Sequence, residues 1–502
     1  MSTNQRLDQN KKNTLTHSIK WSSLAESSVK LITPVTMMIL ARLLTPDAFG
    51  IIAVCNMIIY FADILADAGF AKYIIQADFK NRDELYRYAT VAFWSHLSLS
   101  IIIWIVVSVF SYALASFLGI SGHEDVIVIS TLQLVLMSMI STQVGIIRRR
   151  FEFKKAFVAR ITTTITIFAI TIPLAFYTRS YWSLVIGHLG GYLVNAIILV
   201  WLTHWLPSWF YSFALLKKMF NYSFWSMMEG LAHWFIFWFD VFVVSQLFST
   251  YLVGLYKNST SIILSFITMI TASISPVLLA TLSRLKNNDS YVDVYMNVTK
   301  LLMYLILPAC ILIFFCRDFV TLVLLGPQWS EGAIIIGCWA LMLGISVFIY
   351  SFPAEIYKSK GIPKYLFYYQ LSYIVLMVPI CVYAATFSFW DFVYIRCLVV
   401  LIQVILYFIF SKTVLGWNPL FIFSYIKKPV AINILFFVAC LCAFWFVDGM
   451  YWRVGLSIVM LALYGCFIYL KLKDDLIKSK NMLTKKELNR ELSIGENEKQ
   501  SK

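Results

Sequence analysis

The sequence predicts an all-α polytopic membrane protein of about fourteen transmembrane helices: two six-helix lobes related by a pseudo-twofold along the membrane normal, plus two C-terminal helices. Three observations carry this. Of 502 residues, 60% are hydrophobic and only 13% charged, against about 25% charged in ordinary soluble domains. The apolar residues fall in runs close to the roughly 20 residues that one crossing needs. The first long run also has an echo 204 residues later, where Trp21, Ser22, Thr45 and Gly50 fall on Trp225, Ser226, Ser249 and Gly254. Six helices per repeat is an even number, so both copies enter the membrane in the same direction.

A polar cytoplasmic arm, residues 1–18, leads into an N-lobe, 19–210, with helices expected at 19–42, 48–71, 88–117, 126–147, 158–178 and 182–204. The first run is too long and too polar for a signal peptide and is read as a retained helix. LTPDAFG then reads as a tight outer turn, with Pro46 early and Gly50 relieving the backbone. RRRFEFKKAFVAR, 148–160, reads as an inner-face anchor. The C-lobe, 211–411, is expected to hold helices at 222–248, 253–283, 297–316, 332–356, 365–386 and 390–411. Its inner loop repeats Lys80 and Arg82 as Arg284 and Lys286, and SYWSLV (180–185) returns as SFWDFV (388–393). Residues 412–470 add two helices, 429–447 and 453–470, without a counterpart in the repeat. The charged tail, 471–502, is expected to be disordered.

Charge sets the orientation. Numbered from a cytoplasmic N-terminus, the inner segments hold 34 of the 41 Lys and Arg. The outer segments hold only Arg42, Arg179, Arg317 and Arg453, while Lys30, Lys257 and Arg396 fall inside helices. This is the positive-inside pattern, with both termini cytoplasmic. It assigns the net charge of +15 to topology and to anionic membrane lipids, not to nucleic acid. The nine cysteines lie in apolar runs with no CxxC spacing, which indicates neither a disulfide framework nor a metal site.

A charge at the bilayer centre costs about 2.5–3.5 kcal/mol on insertion scales, so each intramembrane charge needs a reason. Glu26 and Lys30 lie four apart on one helical face, as do Asp63 and Asp67, with Asn56 two turns back. Glu229, His233 and Asp240 share a face of the seventh helix, and Arg396 lies inside the twelfth. Together they read as the lining of a wet cavity between the lobes; taken singly, each also suits interhelical hydrogen bonding. His96 and His188 read as lone, core-packed histidines.

ARLLTPDAFG followed by ADAGFAKYIIQ resembles the helix 1–2 region of bacterial polysaccharide repeat-unit flippases of the O-antigen and colanic-acid type. These form the polysaccharide-transporter branch of the multidrug/oligosaccharidyl-lipid/polysaccharide exporter superfamily. The resemblance continues through RRRFEFKKAF, SYWSLVIG, LVGLYKNST, PVLLATLSRL and LLGPQWSEG. It implies a non-enzymatic transporter in the bacterial inner membrane, working by alternating access. The implied substrate is an undecaprenyl-diphosphate-linked oligosaccharide, moved from inner to outer leaflet for lipopolysaccharide or exopolysaccharide biosynthesis. Implied partners are the polysaccharide polymerase and chain-length machinery; no cofactor is implied beyond coupling to a proton or sodium gradient. In that role Lys30 and Arg396 are the diphosphate candidates, with Arg42 and Lys257 nearer the outer mouth. Glu26, Asn56 and His233 are further substrate contacts, and Asp63, Asp67, Glu229 and Asp240 are candidates for coupling.

The seventh helix departs from the family pattern: Phe239 stands before Asp240, and Ser245 and Ser249 occupy positions where glycines are usual. Two alternatives remain open. A MATE-like drug/cation exporter of the same fold would use the acids to bind substrate. A membrane polysaccharide polymerase or glycosyltransferase would place its catalytic groups in an outer loop, but the longest outer segment, 317–331, offers only Asp318 and Glu331 as acids.

Overall fold

The computed structural model of the chain describes residues 32, 34–282, 288–348, 356–357, 360, 362–447 and 449–483. Among them, twelve helices are long and apolar enough to cross a membrane. Two shorter apolar helices, Pro34–Leu43 and Gly332–Ser346, fall where the first and tenth crossings are expected. The chain is a multi-pass, all-helical membrane protein. Its helices form two compact units, the first covering the described residues up to Asn258 with Leu324–Gln328, the second the remainder from Ser259.

The first unit contains α1 (Pro34–Leu43), α2 (Pro46–Asp67), α3 (Phe70–Gln76), α4 (Arg82–Val109), α5 (Ser111–Phe117), α6 (Glu124–Thr131), α7 (Gln133–Arg149), α8 (Phe153–Thr178), α9 (Trp182–Thr203), α10 (Phe213–Leu247) and the start of α11 (Thr250–Leu282). The expected tight turn before α2 is shorter than the sequence suggests. Pro46 opens the helix, where its missing N–H goes unneeded, so Gly50 sits buried inside α2 and does not relieve a turn. Its bareness serves a different purpose. A Cβ on Gly50 would run into the Thr250 carbonyl and lie 3.0 Å from Gly254 N; one on Gly254 would run into the Pro46 carbonyl and lie 2.8 Å from Gly50 N. The starts of α2 and α11 therefore meet backbone against backbone, with Thr250 Oγ1 donating to Asp47 Oδ1 at 2.8 Å.

Ala68 and Gly69, both at positive φ, end α2 and turn the chain into α3. Ser223 Oγ of α10 donates to Gly69 O at 3.0 Å, and Tyr222 Oη bonds Gln76 Oε1 at 3.2 Å. Thus α10, which the sequence places at the head of the C-lobe, packs in this unit against α2, α3 and α4. The arginine run does more than anchor. Arg149 Nη1 donates to the carbonyls of Ile74, Ile75 and Ala77 at 3.1, 3.2 and 2.5 Å, satisfying the open end of α3 with a cation placed at its negative pole. Arg150 ties Thr203 O, at the end of α9, to Tyr86 Oη on α4. At the opposite end, Gln328 Nε2 caps α1 through Leu44 O at 3.0 Å and through Ala41 O.

The second unit contains α12 (Asn288–Phe315), α13 (Arg317–Leu324), α14 (Gly332–Ser346), α15 (Pro363–Ala385), α16 (Phe389–Leu398), α17 (Val400–Leu415), α18 (Pro419–Trp445) and α19 (Met450–Leu483). α12 is its hub, with α14, α18 and α19 packed on it. The last two helices join this core: Phe436, Cys440 and Phe444 of α18 and Tyr464 and Ile468 of α19 bury against Tyr304, Ile311 and Leu312. Asn433 Nδ2 donates to Met303 O at 3.3 Å and its Oδ1 accepts from Tyr464 Oη at 3.4 Å. α19 runs on to Leu483, so the first part of the expected disordered tail is helical; 484–502 lie outside the described residues.

The crossing of α2 and α11 gives a stability test. Gly50→Ala and Gly254→Ala should each lower the Tm of the detergent-purified chain by several degrees, since overpacking costs about 1–3 kcal/mol. Gly455→Ala, where a Cβ meets nothing within 4 Å, should leave it unchanged. Equal melting of all three would contradict the backbone contact.

Candidate functional site

Asp63 and Asp67 share a face of α2, as their spacing requires, and that face meets α4. His96 of α4 is 1% exposed and lies between the two acids. Its Nε2 is 3.5 Å from Asp63 Oδ1 and its Nδ1 is 3.6 Å from Asp67 Oδ1. Ser141 Oγ of α7 donates to Asp67 Oδ1 at 2.8 Å. The carboxylates keep about a quarter of their side-chain surface open, 25% and 23%. His96 is thus buried, as core packing demands, but it is not a lone histidine. Only the tertiary contact of α2 with α4 brings it to the acids, and nothing in its local sequence marks it.

A second group forms where α2, α10 and α11 meet. Lys257 Nζ lies 3.9 Å from the Trp238 ring centroid, and Trp238 stacks on Tyr60 at 5.6 Å. Asp240 is 2% exposed, accepts from Tyr256 Oη at 2.8 Å and interacts electrostatically with Lys257. A cation over an aromatic face is attracted by the ring's negative face. The other predicted residues of α10 do not join this group. Glu229 faces Lys72 of α3 at 3.4 Å, and His233 is exposed with its ring tilted against that of Phe237 at 4.6 Å. Asn56 is half-buried on α2; Arg42 is exposed at the end of α1, with its stem beside Gly326. Glu26 and Lys30 lie outside the described residues.

In the second unit Arg396 is 3% exposed. Its Nη1 donates to Tyr373 Oη at 3.1 Å, and its guanidinium stands 5.5 Å from the Trp339 ring. The sequence leaves it without a charged neighbour, and the structure supplies aromatic ones. The same unit holds a half-open cavity of about 450 Å³ between α12, α14, α17 and α18, lined by Met303, Leu307, Ile345, Phe408, Ile426 and Phe437 among other mostly apolar side chains. Sequence reasoning missed this cavity, because an apolar helix face toward a hollow looks the same as one toward lipid.

These helices and their embedded charges define a polytopic transporter fold. The chain superposes on the lipid II flippase MurJ, in an inward closed conformation, with a TM-score of 0.73 at 15% identity, covering 90% of this chain and 99% of that one. An inward-facing multidrug resistance MATE family transporter of the MOP superfamily gives 0.62 at 13% identity, covering 80% and 96%. Residues 39–334 match the polysaccharide biosynthesis protein family, and the chain belongs to it. Similar proteins include an uncharacterized membrane protein in the cps region of Klebsiella pneumoniae, 23% identical over 317 residues (62% of this chain, 64% of that one). The succinoglycan biosynthesis transport protein ExoT of Rhizobium meliloti (strain 1021) is 23% identical over 333 residues (66% and 67%). The lipopolysaccharide biosynthesis protein WzxC of Escherichia coli (strain K12) is 27% identical over 179 residues (36% and 35%). The chain spans about two thirds or less of the length of these curated relatives.

If Lys257 and Asp240 act as one group, their substitutions are not additive. Asp240→Asn and Lys257→Gln should each lower Tm, and the double variant should lose less than the sum, by a coupling of about 0.5–3 kcal/mol. Simple additivity would separate the two.

Proposed function

We propose that the chain is a flippase that moves a lipid-linked oligosaccharide from the inner to the outer leaflet of the bacterial inner membrane by alternating access, for surface polysaccharide biosynthesis. The observation that carries this reading is a pairing of opposites. Cations within the spans are set against aromatic rings, Lys257 on Trp238 and Arg396 beside Trp339, and the same chain holds a large apolar cavity between membrane helices. An undecaprenyl diphosphate sugar has the matching halves: an anionic headgroup that hydrocarbon rejects, with sugar faces that stack on aromatic rings, and a long apolar tail. Membership of a polysaccharide biosynthesis family supports the substrate class. The transport names of ExoT and MurJ favour translocation over catalysis. Both termini are assigned to the cytoplasm on the distribution of Lys and Arg. Coupling to an ion gradient is assigned to the acids of α2 and α10, and the polymerase and chain-length machinery are the expected partners downstream.

Deleting the gene should leave lipid-linked repeat units on the inner leaflet and abolish surface polymer, read by leaflet-resolved labelling of the lipid-linked pool. Normal translocation with an unextended precursor would instead indicate an enzyme. Export of fluorescent cations by reconstituted protein, with glycan export intact in the deletion, would indicate a drug exporter.

At residue level, Lys30→Ala and Arg396→Ala should each abolish export at unchanged membrane abundance. Arg396→Lys should restore only part of it, since an ammonium keeps the charge but loses the planar guanidinium beside Trp339. Full export by both alanine variants would remove these residues from the substrate path.

A further inference from the structure

We propose that Asp63, His96 and Asp67 form one proton-binding site, with the buried imidazole at its centre and Ser141 as its positioning residue. The first reason is an unmet need. His96 is 1% exposed, yet neither ring nitrogen has a hydrogen-bond partner, an unfavourable condition for a buried polar group. Both nitrogens point at carboxylate oxygens, 3.5 and 3.6 Å away. Those distances lie within ion-pair range and a few tenths of an ångström beyond the roughly 2.7–3.2 Å of an N–H···O bond. A small movement of α4 against α2 makes or breaks either bond.

Proton counting then fixes what the site holds. Both ring nitrogens donate only in the imidazolium; the neutral ring has one donor and one lone pair. With two carboxylates and a neutral ring the site carries net −2, and one lone pair faces an anion. With the ring protonated it carries −1, and both nitrogens can donate. A further proton on either carboxylate makes it neutral. Among membrane-spanning helices the doubly negative state is the one most strongly disfavoured, so the site alternates between −1 and neutral by taking up and releasing one proton. The proton reaches it through the carboxylates, which are partly open, while the ring is not. A sodium ion is a poor fit: its oxygen ligands would have to sit around a ring that presents N–H groups, and the three residues do not converge as metal ligands do.

Among the described residues, the neighbouring elements bring the following charged and titratable groups. From α2, Tyr60 interacts with Asp63, as does Tyr192 from α9. α3 and α10 contribute Lys72 and Glu229, which are paired with each other, and α10 also brings Lys218, over the Tyr88 ring. α6 carries Glu124 and Asp125 only at its start, α5 has no acid or base, and α7 offers Ser141 at the site with its arginines at its far end. Tyr211, from the segment before α10, bonds the neighbouring Ser95. Because the site joins α2, α4 and α7, its protonation changes how tightly α2 is held. Without the proton, two like charges four residues apart strain that face of α2; with it, α2 and α4 can close. This deepens the transporter reading and rests on it only for the export measurement.

Two readouts test it on the full-length chain. In detergent, the protonated-carboxyl infrared band is followed as the pH is varied. The wild type should show a titrating component that Asp63→Asn/Asp67→Asn removes and His96→Gln displaces. In cells, surface polymer is followed at several external pH values. His96→Gln should cut export by about tenfold, within the usual range for a coupling group, and flatten its pH profile at unchanged membrane abundance. Ser141→Ala, which removes only a hydroxyl, should shift the pH midpoint of both readouts. An infrared component or an export profile indifferent to His96→Gln overturns the site. If that variant fails to accumulate, an unshifted Ser141→Ala overturns it instead, as does wild-type export that follows sodium and ignores pH. Should deletion of the gene leave export normal while the infrared component behaves as described, the flippase reading fails and the proton site stands.

Discussion

The contact on which the rest of the first unit depends is the crossing of α2 and α11 at Gly50 and Gly254. These two glycines occupy the same position in the two copies of the repeat, and they meet each other. The relation is reciprocal: Gly50 accommodates the Thr250 carbonyl, Gly254 the Pro46 carbonyl, and Thr250 is itself the repeat counterpart of Pro46. A self-complementary contact of this kind is what a twofold relation between two segments produces. Backbones approach this closely in membrane helices only across small residues, so a side chain at either position would force the helices apart. Everything that α2 carries farther along, from the stacked Tyr60 to the aspartates and the break into α3, is aimed from this fixed end.

The second constraint is that lipid tolerates no idle charge. The ionisable groups of the candidate site have specific neighbours, and the neighbours differ in kind. Lys72 and Glu229 form an open ion pair of the sort that contributes little to stability. His96 stands between two acids without closing on either. Lys257 and Arg396 lean on tryptophans, whose faces stabilise a cation. The first arrangement is a direct pair of opposite charges between α3 and α10. The others set charge against neighbours of another kind, two acids around one imidazole in one case and aromatic rings in the rest. That distinction separates candidate working residues from packing better than their presence in a span does.

Much of this was legible in the sequence, and the misses have a common cause. Hydropathy located the spans because each crossing must be long and apolar in its own right. Helical spacing put Asp63 and Asp67 on one face because that relation is internal to α2. The repeat offset paired Gly50 with Gly254, although not the reason they match, which is their contact. What periodicity does not contain is the partner across a helix interface. His96 read as solitary because its acids are on α2; Arg149 read as one charge of an anchor because the carbonyls it caps belong to α3. Helix starts misled in the same way: a Pro-Asp pair suits a turn and a first helical turn equally, and burial against α11 selected the second.

The two C-terminal helices show how a symmetric plan acquires an asymmetric task. They have no counterpart in the repeat, yet they complete the core around α12, with Phe444 stacked on Phe315 at 4.9 Å and Tyr425 Oη bonded to Asp293 Oδ1 at 2.5 Å. α18 also provides one wall of the apolar cavity, through Ile422, Ile426, Val430 and Phe437. Remove α18 and the hollow becomes an open face of α12 toward lipid, so the cavity is a product of the added helices and not of the repeat. A substrate with a polar head and a long tail needs two unlike sites. Duplication alone yields two similar units; an unrepeated pair of helices laid on one of them makes the units chemically different.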